Sequence, residues 1–384
     1  MQSDSSAPRV SIIVVTYNNE KDIVDCLNSI LSQDYQNFEI VIVDNSSTDN
    51  TVMKIMELSG KYQGIRLIQS KENTGYAGGN NLGFQHSRGE LVVLLNPDLV
   101  VDTGWLSHLV QAYDKSGSSA GIICSNVLLF DKRDTINACG NIIHLAGFAF
   151  SRFYMEKEAK CYECDDAIKK DSIRNEGEII AIPVPAPSGA SMMFSRATLN
   201  KIGRKEPFDT GRFFMEYSDI DLALDFLSHD LISYVAPKSR VFHKFRFKMD
   251  NNRLAILERG RYQILGHLTL GTRFSLLPAL FLGEIIVWSF IIFGKSKNKG
   301  MMVQSKLGTY SWLLGNNVTR SKNSKVKDLK IIEAMSPNLI IYDEMTFEGN
   351  NKERNLQQQL NSAHSFSNKL FCKTRNSIMN SLQR

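Results

Sequence analysis

The chain has 384 residues, of which 43% are hydrophobic and 22% are charged, so it can form a large buried core and one smaller region. Its net charge of +5 is modest and it lacks an aromatic-interleaved basic motif, which argues against a nucleic-acid-binding protein. The start, MQSDSSAPR, has no apolar segment and the cysteines show no framework spacing. We therefore expect no cleaved secretion signal and a reducing compartment.

Apolar runs alternate with helical patterns in the N-terminal part of the chain. Three runs predict strands: VSIIVV (Val10 to Val15), EIVIVD (Glu39 to Asp44) and IRLIQ (Ile65 to Gln69). Helices are predicted from Glu20 to Leu31, from a cap at Ser47 or Thr48 to about Leu58, and over NTGYAGGNNLGFQHS. This alternation predicts a mostly parallel sheet with right-handed crossovers.

The stretch Glu90 to Asp102, ELVVLLNPDLVVD, predicts a buried strand followed by a carboxylate. Pro97 cannot donate to a sheet ladder and biases Asn96 away from helix, so the strand should end there. Asp98 then lies at the carboxyl end of the strand, where open α/β sheets bind ligands. Taken alone, Asp98 is more simply explained as the cap of a turn.

Such a sheet suits a nucleotide, and a dinucleotide-binding domain is one possibility. That class places a glycine fingerprint, GxGxxG, directly after the first strand. Here Thr16-Tyr17-Asn18-Asn19 occupies that place, which counts heavily against it. Asp44 could still serve as its ribose-binding acid.

Seven segments, in this order, resemble those of the family 2 glycosyltransferases of the GT-A fold, particularly rhamnosyltransferase-like members. They are VSIIVVTYNNEKDIVDCLNSIL, EIVIVDNSSTDNT, NTGYAGGNNLG, LVVLLNPDLVV, SGASMMFSR, FDTGRFFMEYSDIDLAL and VFH. The resemblance extends from Arg9 to Leu314. It implies an α/β, Rossmann-like GT-A domain that transfers a sugar from a nucleotide-sugar donor.

The resemblance implies a donor site at the carboxyl edge of the sheet. Asp44 would accept hydrogen bonds from the nucleobase or ribose, with Thr16 and Tyr17 in the wall. Other donor-binding candidates are Asn73, Gly75, Asn81 and Asn96.

Asn96-Pro97-Asp98 stands where the family has a DxD metal site, so Asp98 is expected to bind Mg²⁺ or Mn²⁺ with the donor diphosphate. His243, in SRVFHKF, matches a further metal ligand of the family. A lone histidine after an apolar pair is as often a core or surface residue. Because Asn96 replaces the first carboxylate, we expect the metal to bind weakly until the diphosphate arrives.

The segment Phe208 to Phe226 matches the part of the family that supplies the catalytic base. Its apolar spacing predicts a helix capped by Ser218, with Asp219 and Asp221 in the first turn. The resemblance assigns Asp219 as the general base, with Glu216 in reserve because Ser218 replaces the family's glutamate. With no second carboxylate placed as a nucleophile, we expect one displacement with inversion at the anomeric carbon.

Acceptor and diphosphate contacts also follow from the resemblance. Gly189 and Ala190 would form a small-residue floor for the acceptor, although they could equally be packing residues. Asp221 would contact the acceptor or simply complement the helix dipole. Arg259 and Arg261 match a basic pair that would bind diphosphate, or they form a solvated helix face.

The segment Phe274 to Phe293, FSLLPALFLGEIIVWSFIIF, contains one charge, Glu284, and lysines follow it. A carboxylate near its centre would cost on the order of 2.5–3.5 kcal/mol on insertion scales. We expect the segment to associate with the membrane, either by spanning it or by lying in its interface, with the enzyme on the cytoplasmic face. A buried core helix is the alternative.

Four regions are expected: a flexible N-terminus (1–8), the catalytic domain (9–265), a helical membrane-associated region (266–320) and a largely disordered tail (321–384). The predicted function is transfer of a sugar to a lipid-linked or polysaccharide acceptor in cell-surface glycan synthesis. Two alternatives stay open. One is a membrane-tethered nucleotide- or glycan-binding protein without catalysis, and the other is a nicotinamide-dependent oxidoreductase.

Overall fold

The computed structural model describes residues 8–62, 64–162, 171–246, 251–293, 299–315, 324–338 and 351–383. It divides into two compact units, one of residues up to 141 with 151–247, the other of 142–150 with 248 onward. The sequence places the end of the catalytic domain at 265, whereas the division falls at 247 because the helix Asn251–Gln263 packs against the helix Lys299–Gly315.

The first unit begins with the predicted alternation of strands and helices. Its strands are Val10–Thr16 (β1), Phe38–Asp44 (β2), Ile65–Gln69 (β3) and Leu91–Leu95 (β4). Its helices are Ile23–Leu31 (α1), Thr51–Ser59 (α2) and Gly75–His86 (α3). Helix α2 begins at Thr51 with Asn50 in the cap position, a few residues after the predicted Ser47 or Thr48.

The chain then continues through shorter elements. The strands are Leu99–Val101 (β5), Ala120–Leu129 (β6), Ile136–Ala138 (β7), Asn141–His144 (β8), Ala149–Ser151 (β9), Ile173–Asn175 (β10), Glu178–Val184 (β11), Ser191–Ser195 (β12) and Ile232–His243 (β13). The helices are Trp105–Ser116 (α4), Arg196–Lys201 (α5) and Ser218–Ser228 (α6).

Within the described residues, the central sheet has the strand order β10-β11-β13-β6-β12-β4-β1-β2-β3, with β5 beside β13 and β7 beside β6. Strands β4, β1, β2 and β3 are parallel, which confirms the predicted α/β class, and β12 pairs antiparallel to β4. In this register Thr16 lies opposite Asp44, so the carboxyl ends of β1 and β2 meet at one edge of the sheet.

Strand β4 lies inside the sheet, between β12 and β1, and its side chains are buried accordingly. All five of its residues are buried, as a strand covered on both faces requires. The strand ends at Leu95, as predicted from Pro97, and leaves Asp98 only partly buried at the edge.

A disulfide joins Cys139 to Cys161 in the first unit. Cys139 follows β7 directly, so the bond attaches that strand to the turn Glu158–Tyr162. The cysteine spacing does not predict this pair, because the 22 residues between its members match no framework pattern.

The second unit is mainly helical. Its helices are Asn251–Gln263 (α7), Leu270–Ser275 (α8), Leu277–Phe293 (α9), Lys299–Gly315 (α10), Lys325–Ala334 (α11) and Asn351–Gln383 (α12). Strand Met335–Ser336 (β14) pairs with β8, which also pairs with β9. Asp328 on α11 is buried and accepts hydrogen bonds from the backbone N–H of Thr269 at 3.1 Å and the hydroxyl of Thr272 at 2.5 Å. This carboxylate satisfies the N-terminus of α8.

Glu284 on α9 lies in a network of charges inside the second unit. Arg261, Lys306, Tyr262 and Tyr310 all donate to its carboxylate. Burial alone would raise the pKa of Glu284, but these partners outweigh it and lower the pKa to about 2. The carboxylate therefore does not face lipid, and the insertion cost estimated from the sequence does not apply.

None of the helices in the described part of the chain is long and apolar enough to cross a membrane. The apolar side chains of α8 and α9 nonetheless point outward at intervals of three, four and seven residues. The exposed ones at these intervals are Leu270, Phe274, Leu277, Phe281, Ile285 and Ile292, and Phe293 at the end of α9 is also exposed. We call this set the apolar face of α8 and α9.

The C-terminal segment differs from the predicted disordered tail, because α11 and α12 are helical. Ser367, Phe371 and Ile378 of α12 are buried at helical spacing. These buried side chains form a stripe that packs against the rest of the unit. The sequence does not reveal the stripe, because so few such residues stand among many Asn, Gln and Ser residues.

Candidate active site

The carboxyl ends of β1 and β2 form one wall of the candidate site. Asp44 is buried, and its Oδ2 accepts a hydrogen bond from the backbone N–H of Ser47 at 3.1 Å. Its Oδ1 is also buried and has no hydrogen-bond partner among the described residues. A buried carboxylate oxygen without a donor is costly, so Asp44 suits a ligand that supplies a donor, such as a nucleobase or ribose.

The loops after β1 and β2 are linked to each other in place of a glycine fingerprint. Asn18 and Ser46 adopt left-handed backbone conformations, with φ of 55° and 68°. The Asn18 N–H donates to the Ser47 hydroxyl at 2.9 Å, and the Thr48 N–H donates to the Asn18 side chain at 2.8 Å. These bonds fix the edge against which Tyr17 is exposed, while Thr16 is buried beneath it.

The segment Asn73 to Asn81 is attached to this edge by Asn45. The Asn45 amide donates to the Gly75 carbonyl at 2.8 Å, and its carbonyl accepts from the Thr74 hydroxyl at 3.1 Å. Asn73 is exposed, and its side chain accepts from the Gly75 N–H at 2.9 Å. This bond places Asn73 at the start of α3.

Gly75 and Asn81, two predicted donor-binding residues, also have structural partners. A Cβ on Gly75 would lie 2.3 Å from the Phe214 carbonyl, and the residue has a φ of +71°, so glycine is required there. Asn81 is buried and exchanges hydrogen bonds of 2.8 and 3.0 Å with the backbone of Phe208. Both residues position the segment that leads to α6.

Asp98 and His243 meet at the next part of the edge. His243 Nε2 lies 3.1 Å from Asp98 Oδ2, and His243 Nδ1 lies 2.8 Å from the Asn137 side-chain oxygen. Strand β13 brings them together, because it pairs with β5 and places His243 opposite Leu99. The two predicted metal ligands are thus neighbours despite their separation in sequence.

The donor set at this position fits a divalent cation. The Asp98 Oδ1 is buried and has no hydrogen-bond partner among the described residues. No group of three or more His, Cys, Asp or Glu side chains with metal-binding geometry occurs in the described ranges. Asp98 and His243 would therefore hold a metal together with ligands from the diphosphate and water, which is the usual pattern for Mg²⁺ and related ions.

Asp219 lies in the first turn of α6 and is held by two backbone donors. Its Oδ2 accepts from the Gly189 N–H at 2.9 Å, and its Oδ1 accepts from the Ile220 N–H at 2.9 Å. Burial and the nearby Glu216 raise the pKa of Asp219 while the backbone donors lower it, and the resulting pKa is about 6. A carboxylate with this pKa can accept a proton near neutral pH.

A backbone connection joins the candidate base to the candidate metal site. Gly189 binds Asp219, and the carbonyl of Ala190 accepts from the N–H of Asn96 at 2.9 Å. A Cβ on Gly189 would lie 2.9 Å from Asp219 Oδ2. Gly189 and Ala190 thus set the position of Asp219 relative to the Asn96-Pro97-Asp98 turn.

The helix cap at α6 differs from the sequence prediction. Ser218 is the first helical residue, and its hydroxyl donates to the Met215 carbonyl at 2.7 Å. Tyr217 precedes the helix with a φ of 68°, in the left-handed region. This turn places Glu216, the reserve base, close enough to act on the Asp219 pKa.

Asp221 forms a buried ion-pair cluster and is not available to an acceptor. It is 1% exposed, with Oδ2 at 2.5 Å from Arg204 and Oδ1 at 3.0 Å from Arg212. Both oxygens are thus committed to guanidinium groups. The structure places Asp221 beneath the site, where it fixes α6.

The predicted diphosphate-binding arginines lie in the second unit. Arg261 is buried, donates to Glu284 and lies over the Phe148 ring at 4.2 Å. Its charge is thus paired inside the second unit. Arg259 is only partly buried, and its guanidinium lies 5.9 Å from the Trp312 ring.

Three polar residues of the site were not predicted from the sequence. Asn45 joins two loops, Tyr76 donates to the Gly189 carbonyl at 2.7 Å, and Asn137 contacts His243. Asn45 and Tyr76 lie inside segments that carry the family resemblance, so their position could have suggested a role. Asn137 has no such signal, because its partner lies 106 residues away.

Comparison with known proteins finds a family model that matches the N-terminal part of the chain. Residues 11–174 match the model described as glycosyl transferase family 2. The chain is 29% identical over 125 residues to the glycosyltransferase GlyG of Streptococcus pneumoniae, covering 33% of this chain and 41% of that protein. It is 35% identical over 102 residues to the UDP-Glc:alpha-D-GlcNAc-diphosphoundecaprenol beta-1,3-glucosyltransferase WfgD of Escherichia coli, covering 27% of this chain and 38% of that protein. The chain thus spans about two fifths of the length of these relatives.

Solved structures support the fold. S. aureus TarS 1-349 in complex with UDP-GlcNAc matches with a TM-score of 0.51 and 14% identity, over 98% of this chain and 91% of that one. GalNAc-T7 with UDP, GalNAc and Mn2+ matches with a TM-score of 0.53 and 13% identity, over 82% and 57%. The first unit therefore has the architecture of the GT-A fold.

Proposed function

Because the chain carries a glycosyl transferase family 2 domain, we propose that it is an inverting, metal-dependent enzyme that uses a nucleotide-sugar donor. The proposed acceptor is a lipid-linked or polysaccharide glycan in cell-surface glycan synthesis. The observation that carries this proposal is the Asp219 carboxylate. It is half-buried, its pKa is raised to about 6, and a backbone connection fixes it relative to Asp98.

The proposed reaction is a single displacement. An acceptor hydroxyl forms a bond to the anomeric carbon while the bond from that carbon to the diphosphate oxygen breaks, with its electrons leaving on the diphosphate. Asp219 accepts the hydroxyl proton and later releases it to water. The N–H groups of Gly189 and Ile220 hold the carboxylate in one orientation. Asp219 can therefore accept a proton only from an acceptor hydroxyl that approaches the free side of the carboxylate.

The donor would bind along the edge formed by β1, β2 and β4. Asp44 would accept hydrogen bonds from the nucleobase or ribose, and Tyr17 and Asn73 would flank it. Asp98 and His243 would hold Mg²⁺ or Mn²⁺, which when bound neutralises charge on the leaving diphosphate. The Mn2+ in the GalNAc-T7 structure supports this choice of cofactor.

The relatives support the proposed substrates. WfgD is named for UDP-glucose and a diphosphoundecaprenol-linked acceptor, and the TarS structure contains UDP-GlcNAc. A rhamnosyl donor remains part of the proposal through the sequence resemblance alone.

We place the enzyme on the cytoplasmic face of the cell membrane, bound at the membrane surface. The apolar face of α8 and α9 supports this location, together with Lys295, Lys297 and Lys299, which follow α9 in sequence. Apolar side chains beside basic residues suit an interface of lipid tails and anionic headgroups.

A donor screen tests the proposed function. The full chain is heated with UDP-, GDP- and dTDP-sugars and with NAD(P), each with and without Mn²⁺, and unfolding is followed by thermal shift. The proposal predicts a metal-dependent rise in Tm with one nucleotide sugar, because a ligand that binds only the folded state stabilises it. Stabilisation by NAD(P) alone would contradict the proposal.

A further inference from the structure

The imidazole of His243 is held from both sides within the first unit. Its Nδ1 lies 2.8 Å from the side-chain oxygen of Asn137, and its Nε2 lies 3.1 Å from Oδ2 of Asp98. The three side chains come from neighbouring parts of the sheet: β7, the end of β13 and the turn before β5. They form one row across the sheet edge.

The chemistry of the row determines which ring nitrogen carries the proton. A neutral imidazole has one N–H donor and one acceptor nitrogen. The Asn137 oxygen and the Asp98 carboxylate can both only accept, so when a cation takes the Nε2 lone pair the hydrogen is on Nδ1 and donates to Asn137. The carboxylate and the lone pair are both acceptors, and Asp98 Oδ1 is buried without a described partner. A cation satisfies all of these atoms together.

We propose that Asn137 is a positioning residue that fixes the tautomer and ring orientation of His243 for metal binding. The inference rests on the proposed function, in which His243 and Asp98 hold the metal. A partner on the second ring nitrogen commonly orients a metal-binding histidine, and its loss typically lowers metal affinity by about 10- to 100-fold.

Strand β7 is anchored firmly enough for Asn137 to act in this way. On one side, Ala138 pairs with Val127 of β6. On the other side, the Ile136 N–H donates to the Glu156 carbonyl at 2.8 Å, and the Cys139 N–H donates to the Arg152 carbonyl at 3.2 Å.

Asn137 is only 7% exposed, so water competes poorly for its oxygen. Its side chain is therefore placed before any ligand arrives.

Nitrogen NMR of the ring tests the proposal without relying on activity. The full chain is labelled with ¹⁵N-histidine, and two-bond proton–nitrogen correlations are recorded about 1.5 pH units above the ordinary histidine pKa. The signals of His243 are identified by their loss in His243→Gln. At a Mg²⁺ concentration just sufficient to saturate the native chain, we expect a protonated Nδ1 and an unprotonated Nε2 in the native chain and in Asn137→Asp, which keeps an acceptor. Asn137→Ala should give a mixture of tautomers.

A titration with Mn²⁺ alone, on the same samples, gives the second measurement. Paramagnetic broadening of the His243 signals should require at least about 10-fold more Mn²⁺ in Asn137→Ala than in the native chain, whereas Asn137→Asp should bind at least as well as native. Because Asn137→Asp retains the shape of the side chain, it separates the loss of an acceptor from a general loss of packing.

The outcomes distinguish the role of Asn137 from the role of His243 in metal binding. A native His243 protonated on Nε2, or an Asn137→Ala chain with unchanged tautomer and unchanged Mn²⁺ response, would overturn the role of Asn137. The expected tautomers without broadening at His243, both with Mn²⁺ alone and with inorganic diphosphate added, would support the orienting role of Asn137 and overturn the metal-binding role of His243.

Discussion

At the scale of single residues, Asp219 combines a fixed position with a raised pKa. The N–H groups of Gly189 and Ile220 hold its two oxygens, and the left-handed Tyr217 sets the start of α6. A non-glycine residue in that backbone region costs roughly 1–2 kcal/mol, which the surrounding packing has to offset. Strain of this kind is common where a side chain must be aimed at a substrate.

The pKa of Asp219 predicts how activity depends on pH. Burial raises this pKa from 3.8 to about 6, and only the ionised carboxylate accepts the acceptor's proton. The value of kcat/KM should therefore rise with pH through about 6 and level off above it. Asp114→Asn, far along α4, should keep the same profile. A profile that stays flat across this range would show that a different group is the base.

Gly189→Ala tests the close contact beneath Asp219. The new Cβ would lie 2.9 Å from Asp219 Oδ2 and 3.2 Å from its Cγ, so the carboxylate must move. We expect kcat to fall by about 100-fold, the size of effect expected from misplacing a catalytic group by about 1 Å, with donor KM nearly unchanged. Gly271→Ala has open space and should behave as the native protein. Equal kcat values for both variants would show that the position of Asp219 is not critical.

At the scale of elements, α9 depends on charges that α7 and α10 supply. Lys306 is buried, and its Nζ lies 2.6 Å from Glu258 and 2.9 Å from Glu284. Breaking a buried pair by removing one partner leaves an uncompensated charge, which typically costs about 3–5 kcal/mol.

Lys306→Met should therefore lower the free energy of unfolding by about 3–5 kcal/mol, measured by urea denaturation. Lys238→Met, which removes an exposed pair with Glu178, should change it by about 1 kcal/mol or less. Equal effects of the two substitutions would mean that the network contributes little.

Because the pKa of Glu284 is lowered from 4.5 to about 2, the stability that it contributes is present above pH 4.5 and lost as the pH falls towards 2.

The N-terminal strands could be predicted from the sequence because their signals are local. Runs such as VSIIVV and LVVLL are apolar and bounded by turn residues, and the structure places β1 and β4 within one residue of the prediction. Helices α11 and α12 lie where composition favoured a disordered tail, because composition does not take account of spacing. Phe371 and Ile378 are too sparse to stand out among polar residues, yet they are buried once α12 packs.

The candidate site could be predicted only where the family resemblance supplied a role or a strand end supplied a position. Asp98 and His243 were expected to share a metal, and the sheet brings them together. Asp221 was misjudged because its partner Arg204 is identifiable only when the chain is folded. Asn137 was missed because a single asparagine in a polar segment carries no pattern.

At the scale of the whole molecule, the apolar face of α8 and α9 bears on where the protein resides. Phe274 is 68% exposed and Phe281 is 69% exposed, which is unusual for side chains of this size. Burying a phenylalanine side chain contributes about 1.5–3 kcal/mol, so a few of them suffice for binding to a membrane surface.

Sedimentation with lipid vesicles tests this location. The full chain should sediment with vesicles that contain anionic lipid, and less so at high salt, because lysines contribute to the attraction. The double variant Phe274→Ser and Phe281→Ser should bind at least about 10-fold more weakly. A matched control, Met53→Ser with Met56→Ser, changes two exposed apolar residues of α2 and should bind normally. Equal binding of both double variants would argue against this face.

The central claim is that Asp219 is the base of a sugar transfer, and the most direct test is the transfer rate of Asp219→Asn. With the donor identified by thermal shift, the account predicts a fall in kcat of at least about 100-fold, while the Tm increase caused by the donor is unchanged. Asp114→Asn should retain full activity. Transfer by Asp219→Asn at the native rate would contradict the account, and donor binding without transfer by the native chain would indicate a binding protein instead of an enzyme.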